Sequence, residues 1–326
     1  MRETPGIAQN RRMVHKRDEG WRASPSFLTQ ASHSQRGLSR MDTPPPPRTR
    51  SAGSGGMDDA ARIDIVGLTK RYLTPKGETF TAINDVTFAV EPGQFCAIVG
   101  PTGCGKSTTL AQVSGLERPS EGHVMVGGQR VDGITSGVSY MFQADSLFPW
   151  KTVLGNVMIG PILLGTSKAA ATKIALDWVR RVGLAGFEDR YPHQLSGGMR
   201  KRVAMAAALI NRPRILLMDE PFGALDVQTK AIMQGELLQL WEELRPSVLF
   251  ITHDLDEAVT LSDRVVIMTS SPGTVKNTFD IDLPRPRGDV QTLRHESQFQ
   301  EIQGQIWASL KDEVSRAYEL SSALSA

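Results

Sequence analysis

The chain has 326 residues, of which 40% are hydrophobic and 22% charged, enough for one large α/β domain or two small ones around a buried core. No apolar run approaches the roughly 18 uncharged residues that cross a bilayer, the longest being blocks such as Phe95 to Gly100 and Ile215 to Met218. The formal charge of +2 is uneven: residues 1–56 carry ten Lys/Arg against four Asp/Glu and the rest twenty-seven against thirty-one, a slightly acidic body that argues against nucleic-acid binding.

Residues 1–60 read as a disordered leader. They include Thr43 to Pro47 and the stretch Ser51 to Gly56, lack apolar periodicity, and cannot repay the entropy of ordering. The Arg- and Ser-rich composition leaves a transit peptide open, against which stand Asp18, Glu19 and the lack of a clean amphipathic stretch. Met57 directly precedes the first patterned segment, so the expectation is either a start there or a dispensable tail before it.

From Ile63 the pattern changes. Ile63 to Val66 and Ala82 to Val90 are expected strands around a turn at Pro75 to Gly77, and Gln94 to Val99 is an apolar strand running into a glycine loop. Arg214 to Met218 and Val248 to Thr252 have the form of central parallel strands. Helices are expected over Lys106 to Ser114, Lys168 to Val182, Met199 to Ile210 and Val227 to Leu244, with a terminal amphipathic helix over Phe299 to Val314. Arg285 and Arg287 read as a solvated linker. Strand, glycine loop and helix in that order predict a doubly wound α/β nucleotide-binding core. Cys96 and Cys104 suit neither a disulfide framework nor a metal site, which points to a reducing, cytosolic setting.

Gly100-Pro101-Thr102-Gly103-Cys104-Gly105-Lys106-Ser107 fits the phosphate-loop pattern, and with Thr108 it forms the candidate nucleotide-binding segment. Glycines let backbone N–H groups converge on phosphate oxygens, Lys106 reaches the β and γ phosphates, and Ser107 can ligate Mg²⁺. Cys104 is either a small packing residue or a reactive thiol at a helix N-terminus. Ile215 to Met218 leads into Asp219 and Glu220, two acids that are costly at the end of a buried strand without a cation or a water network. Asp219 is suited to hold hydrated Mg²⁺, and Glu220 to orient and deprotonate the attacking water.

Leu195-Ser196-Gly197-Gly198-Met199 precedes that strand, and here the chain resembles the ATP-binding-cassette transporter family through its signature loop, with Met199 at a position where glutamine is more frequent. The resemblance covers about residues 61–290, leaving a helical tail over 291–326, and implies a P-loop NTPase core with an antiparallel β subdomain and a helical insert at about 144–196. It also implies that Ser196, Gly197 and Gly198 complete the ATP site of a second copy, sandwiching each nucleotide at an isologous interface. By the same resemblance Gln143 contacts Mg²⁺ and the water, Asp226 crosses the dimer interface, and His253 is the switch histidine beside the γ-phosphate. Tyr72 resembles the aromatic that stacks on adenine, with Phe80 as the competitor.

Ser146 to Val153, with Phe148 and Trp150, falls where the family docks a coupling helix of the membrane subunit; packing within the insert is the alternative. Leu147 to Trp150, the signature, Asn211 to Arg214 and Leu283 to Arg287 look like the importer branch for nitrate, taurine and alkanesulfonates. The implied reading is an importer ATPase using ATP and Mg²⁺ at the cytoplasmic face of a bacterial-type plasma membrane. Its implied partners are a second copy, a polytopic permease and, indirectly, a solute-binding protein, with no nucleic acid. The other readings are an exporter or lipid-extraction ATPase, and a soluble cassette ATPase of translation or DNA maintenance; against the last, Lys106 and Ser196 are too close in sequence to hold a long coiled coil.

Overall fold

A computed structural model describes residues 61–325, so the expected leader and Met57 lie outside the described residues. The first half contains β1 (Ile63–Leu73), β2 (Thr79–Val90), β3 (Phe95–Val99), α1 (Lys106–Ser114), β4 (Glu121–Val126), β5 (Gln129–Arg130) and β6 (Val138–Met141). The insert contributes α2 (Val153–Val157), α3 (Ile159–Leu163) and α4 (Lys168–Arg181), and leads into α5 (Gly197–Leu209). Then come β7 (Ile215–Asp219), α6 (Val227–Leu244), β8 (Ser247–Ile251), α7 (Leu255–Leu261), β9 (Arg264–Met268), β10 (Val275–Asp280), α8 (Val290–Leu293) and α9 (Ser297–Ser325).

The strands form two sheets. A six-stranded sheet runs β10-β9-β3-β8-β7-β6, parallel except for β10 on the edge, and a four-stranded antiparallel sheet runs β2-β1-β4-β5. Strand periodicity divides the core in two. Phe95, Ala97, Val99, Leu216, Met218, Val248 and Phe250 join residues of α4, α5, α6, α7 and α9, whereas Cys96, Ile98, Ile215, Leu217, Leu249 and Ile251 join α1 and the antiparallel sheet. Both faces of the parallel sheet are therefore covered, which is why its interior strands β3, β7, β8 and β9 are almost entirely apolar. Truncating Phe250, which is 0% exposed, would cost about 3–5 kcal/mol.

β1 reaches Leu73, well beyond the expected Val66. The apolar pattern is broken at Gly67, where a register shift between Ile65 and Leu68 lets the strand bend and go on pairing with β2. β4, β5, β6, β9 and β10 were not expected from the sequence: β5, β6 and β10 are edge strands and β4 is half polar, whereas β9 is an interior strand whose apolar run Val265 to Met268 was overlooked. Several helices start on side-chain caps: Ser167 accepts from Ala170 N, Ser196 from Met199 N, Asp226 from Thr229 N, and Asp254 from the N–H groups of Asp256 and Glu257.

The expected solvated linker at Arg285 and Arg287 is corrected. Arg285 donates to Asp263 at 2.9 Å and to the Leu261 carbonyl at 2.6 Å, and its guanidinium lies 4.4 Å from the Trp241 ring centroid. Arg287 is 7% exposed and donates to the Ser262 carbonyl; burial, with Arg285 beside it, pulls its pKa down to about 10, so it stays charged at neutral pH. Two prolines, two arginines and no bulky apolar side chain look solvated in sequence. Guanidinium groups can nevertheless be buried when carbonyls and an aromatic face receive them. Val290, Leu293, Phe299, Ile306 and Leu310 carry the same packing into the C-terminal segment. Among the described residues no helix is long and apolar enough to cross a membrane.

Candidate functional site

Four neighbouring parallel strands, β3, β8, β7 and β6, deliver the candidate residues to one crevice at their carboxyl ends. β3 leads into the glycine loop and α1, β8 into His253, β7 into Asp219 and Glu220, and β6 into Gln143. Adjacency in the sheet thus unites residues far apart in sequence.

Gly103 and Gly105 have φ of 80° and 95°. At Gly105 a Cβ would lie 2.2 Å from Ile83 Cγ2, so only glycine fits between α1 and the antiparallel sheet. Gly105 is the N-cap of α1 and gives it no side-chain cap, leaving the first turn's N–H groups facing the loop. Lys106 is 6% exposed and folds over the loop, donating to the carbonyls of Gly100 at 2.8 Å and Pro101 at 3.0 Å. Cys104 is 1% exposed, and burial pushes its thiol up against the opposing pull of Lys106, as befits a packing residue.

Asp219 is half-buried, and the hydroxyls of Ser107 and Tyr140 are close enough to favour its ionised form. Burial is the main cause that raises its carboxyl pKa; the nearby Glu220 adds to it, and Ser107, Lys106 and Tyr140 oppose it. Tyr140 is itself pushed up, by burial and then by Asp219. Glu220 sits at φ 43°, a left-handed conformation unusual for glutamate, with its N–H pinned to the Ile251 carbonyl at 3.0 Å. Its Oε2 accepts from Gln143 Nε2 at 3.4 Å and lies 3.2 Å from His253 Nδ1.

These groups border a cleft of ≈ 530 Å³. It is lined by Thr102, Gly103, Gly105, Lys106, Ser107 and Thr108 on one side, Gln143, Glu220 and His253 on another, and Tyr72 and Phe80. Gly100, Pro101, Cys104 and Asp219 stand behind this lining. Tyr72 donates from its hydroxyl to Glu117 Oε2 at 2.6 Å, with the Lys70 ammonium 5.1 Å from its ring, while Phe80 is 47% exposed; both candidate aromatics are at the cleft. A larger cavity of ≈ 810 Å³ on the helical insert, around Pro161, Ile174 and Trp178, has none of this chemistry.

Ser196, Gly197, Gly198 and Asp226 lie outside the cleft lining. They form a neighbouring surface: a Cβ on Gly198 would be 2.9 Å from Thr229 Cγ2, which places the signature loop against the turn that begins at Asp226. Ser196, Gly197 and Asp226 are exposed, and backbone and side-chain hydrogen bonds from Thr229 hold the Asp226 carboxyl below its ordinary value.

Tyr140 and the anchorage of His253 escaped the sequence reading. Lys230, on the first turn of α6, holds Asp254 at 3.0 Å and the buried Glu257 at 2.9 Å, while Thr252 donates to Glu257 at 2.6 Å. The only sequence trace is a run of acids after His253, which by itself reads as a helix N-terminus.

The donor set suits a nucleotide triphosphate with Mg²⁺. Glycine N–H groups, Lys106 and hydroxyls favour phosphate oxygens. Among the described residues no three His, Cys, Asp or Glu side chains cluster as a metal cage. Mg²⁺ needs none, since one or two protein oxygens plus phosphates and waters suffice, and the Ser107 hydroxyl and the Asp219 carboxylate are near enough to interact.

A family described as ABC transporter matches residues 83–223. An aliphatic sulfonates import ATP-binding protein of Bacillus cereus is 39% identical over 75% of this chain and 94% of its own length. A nitrate import ATP-binding protein of Synechocystis sp. is 40% identical over 76% of this chain and 95% of its own. Among solved structures, a dimeric ATP-binding cassette in a post-hydrolysis state with ADP and Pi superposes with a TM-score of 0.61 at 30% identity, covering 68% of this chain and all of that one.

Proposed function

Because the chain belongs to the ABC transporter family, as an ATP-binding and ATP-hydrolysing subunit, we propose that two copies close around two nucleotides and drive solute import through a separate membrane permease. The observation that carries this reading is a division of labour. The phosphate loop, Asp219, Glu220, Gln143 and His253 meet at one crevice, while Ser196, Gly197 and Asp226, exposed, and Gly198, half-buried, lie outside its lining. A second copy, related by a two-fold axis, supplies that surface to the first copy's cleft and receives the same in return.

In the assembled site the backbone of Gly103 to Gly105 and the Lys106 ammonium bind the phosphates, and Tyr72 or Phe80 packs on the base. Ser107 and Asp219, with Gln143 nearby, would hold Mg²⁺, which when bound neutralises phosphate charge. Glu220 receives a proton from the attacking water, His253 holds Glu220 and the γ-phosphate side in register, and Gln143 orients the same water. Ser196 and the start of α5 offer a hydroxyl and N–H groups to the γ-phosphate of the partner's nucleotide. The subunit works at the cytoplasmic face of the plasma membrane, where a solute-binding protein delivers cargo to the permease from the other side.

The sulfonate and nitrate relatives, with the strings around Trp150 and Arg285, favour a small anion as cargo. Deleting the gene should impair growth when an alkanesulfonate is the only sulfur source or nitrate the only nitrogen source. Normal growth on both, with export of a lipid or drug lost instead, contradicts the import reading.

A further inference from the structure

We propose that Lys201 is a positioning residue that ties the signature helix α5 to Gln143, so that the position of the Ser196 loop is transmitted to the Glu220 site of the same chain. The inference rests on the proposed roles of Glu220, Gln143 and Ser196.

Lys201 lies on the first turns of α5, five residues after Ser196. The other buried residues of that helix are Val203, Met205, Ala206, Ala208 and Leu209, so Lys201 is the one charge on its buried face. Its side chain is 4% exposed. An ammonium withdrawn from water is costly unless acceptors replace the water. Lys201 Nζ donates to the Gln143 backbone carbonyl at 2.7 Å and lies 3.2 Å from Asp145 Oδ1. A leucine or methionine would fill the same space without that cost, so the charge serves the contact.

The neighbouring residue completes the tie. Arg200 Nε donates to Asp145 Oδ2 at 2.8 Å, and its Nη1 donates to the Leu195 carbonyl at 2.9 Å, immediately before Ser196. Two consecutive cations of α5 therefore grip the segment 143–145, and one of them also grips the signature loop. Gln143 in turn donates to Glu220 Oε2 at 3.4 Å. The path from Leu195 through Arg200, Asp145, Lys201 and Gln143 to Glu220 is a continuous set of polar contacts. Since Ser196 serves the partner's nucleotide and Glu220 the chain's own, the path joins the two ATP sites of the dimer.

The test uses the full chain, with steady-state ATP hydrolysis and thermal unfolding. Lys201→Met is expected to lower kcat about tenfold with KM for ATP within twofold, and to lower the Hill coefficient for ATP toward one; Lys201→Arg should recover most of both. The discriminating readout is the double variant Lys201→Met with Gln143→Ala, expected to be no slower than Gln143→Ala alone. A lysine that merely stabilised α5 would lower the melting temperature and slow both backgrounds by the same factor. Should Lys201→Met fail to fold, Lys201→Gln, which keeps a donor without the charge, must show the same non-additivity. Wild-type kcat and Hill coefficient in a folded Lys201 variant, or losses that multiply in the double variant, would overturn the proposal. Glu220→Gln run in parallel separates the two levels: if that variant hydrolyses ATP normally, it is the site reading that has failed.

Discussion

His253 Nδ1 lies 3.2 Å from Glu220 Oε2, the same oxygen that Gln143 reaches from the other side of β7. One carboxylate oxygen is thus met by two side chains. Removing the histidine leaves the carboxylate without its orienting partner, so His253→Ala should lower kcat by roughly 10²-fold or more with little change in ATP binding, in line with the loss of a positioned acid–base group. Steady-state hydrolysis alongside nucleotide-binding titrations checks this; loss of binding with kcat retained would contradict it.

Asp219 carries a prediction of opposite sign for stability and for function. Its carboxyl pKa is raised, burial being the first cause, so its ionised form is less favourable in the folded chain than in the unfolded one. That penalty is present above the folded-state pKa and vanishes as pH falls below the unfolded value. Asp219→Asn should therefore match or exceed the nucleotide-free wild type in melting temperature at neutral pH, with the difference shrinking in acid, while Mg-ATP binding weakens. A marked fall in stability at neutral pH would show that the favourable influence of Ser107, Lys106 and Tyr140 on the carboxylate outweighs its burial.

Most of the candidate site was legible from the sequence because its residues are local: the glycine loop, the two acids after an apolar strand and the signature loop are contiguous strings at strand and helix ends. The start of α1 at Lys106 and both ends of α6 follow from the same signals. What stayed hidden is non-local. Tyr140 meets Asp219 because β6 and β7 pair in parallel, and Lys230 meets Asp254 because α6 packs beside the turn after β8. Arg285 and Arg287 misled for a related reason, since a guanidinium's burial depends on carbonyls and an aromatic ring supplied from distant positions.

Arg285 is a stability residue. Its bonds to Asp263 and the Leu261 carbonyl and its stacking on Trp241 are partly shielded, with side-chain exposures of 15% for Arg285 and 29% for Asp263. Arg285→Ala should lower unfolding free energy by about 1–3 kcal/mol, a buried-pair cost discounted for partial exposure. Denaturant unfolding measures it, and kcat of the folded fraction should be unchanged; a stability change near zero would restore the solvated-linker reading.

Phe148 and Trp150 form an edge-to-face pair with ring centroids 5.5 Å apart, and are 41% and 70% exposed. Exposed aromatics beside Gln143 favour docking over packing within the insert. Changing both to Ala should leave basal hydrolysis nearly intact and abolish stimulation by the permease in reconstituted membranes. Equal loss of basal activity would assign them to the core.

The central claim is that Glu220 is the base in one copy and Ser196 the phosphate contact given to the other. Glu220→Gln keeps the size and hydrogen-bonding reach of the side chain but removes its basicity, so hydrolysis should fall by roughly 10²- to 10⁴-fold. The binding energy of two shared nucleotides then holds the sandwich closed. Size-exclusion chromatography with light scattering should show Glu220→Gln as a dimer with ATP and a monomer with ADP, and adding Ser196→Arg should abolish the ATP dimer. A dimer that survives Ser196→Arg, or a Glu220→Gln variant that hydrolyses ATP at the wild-type rate, would contradict the account.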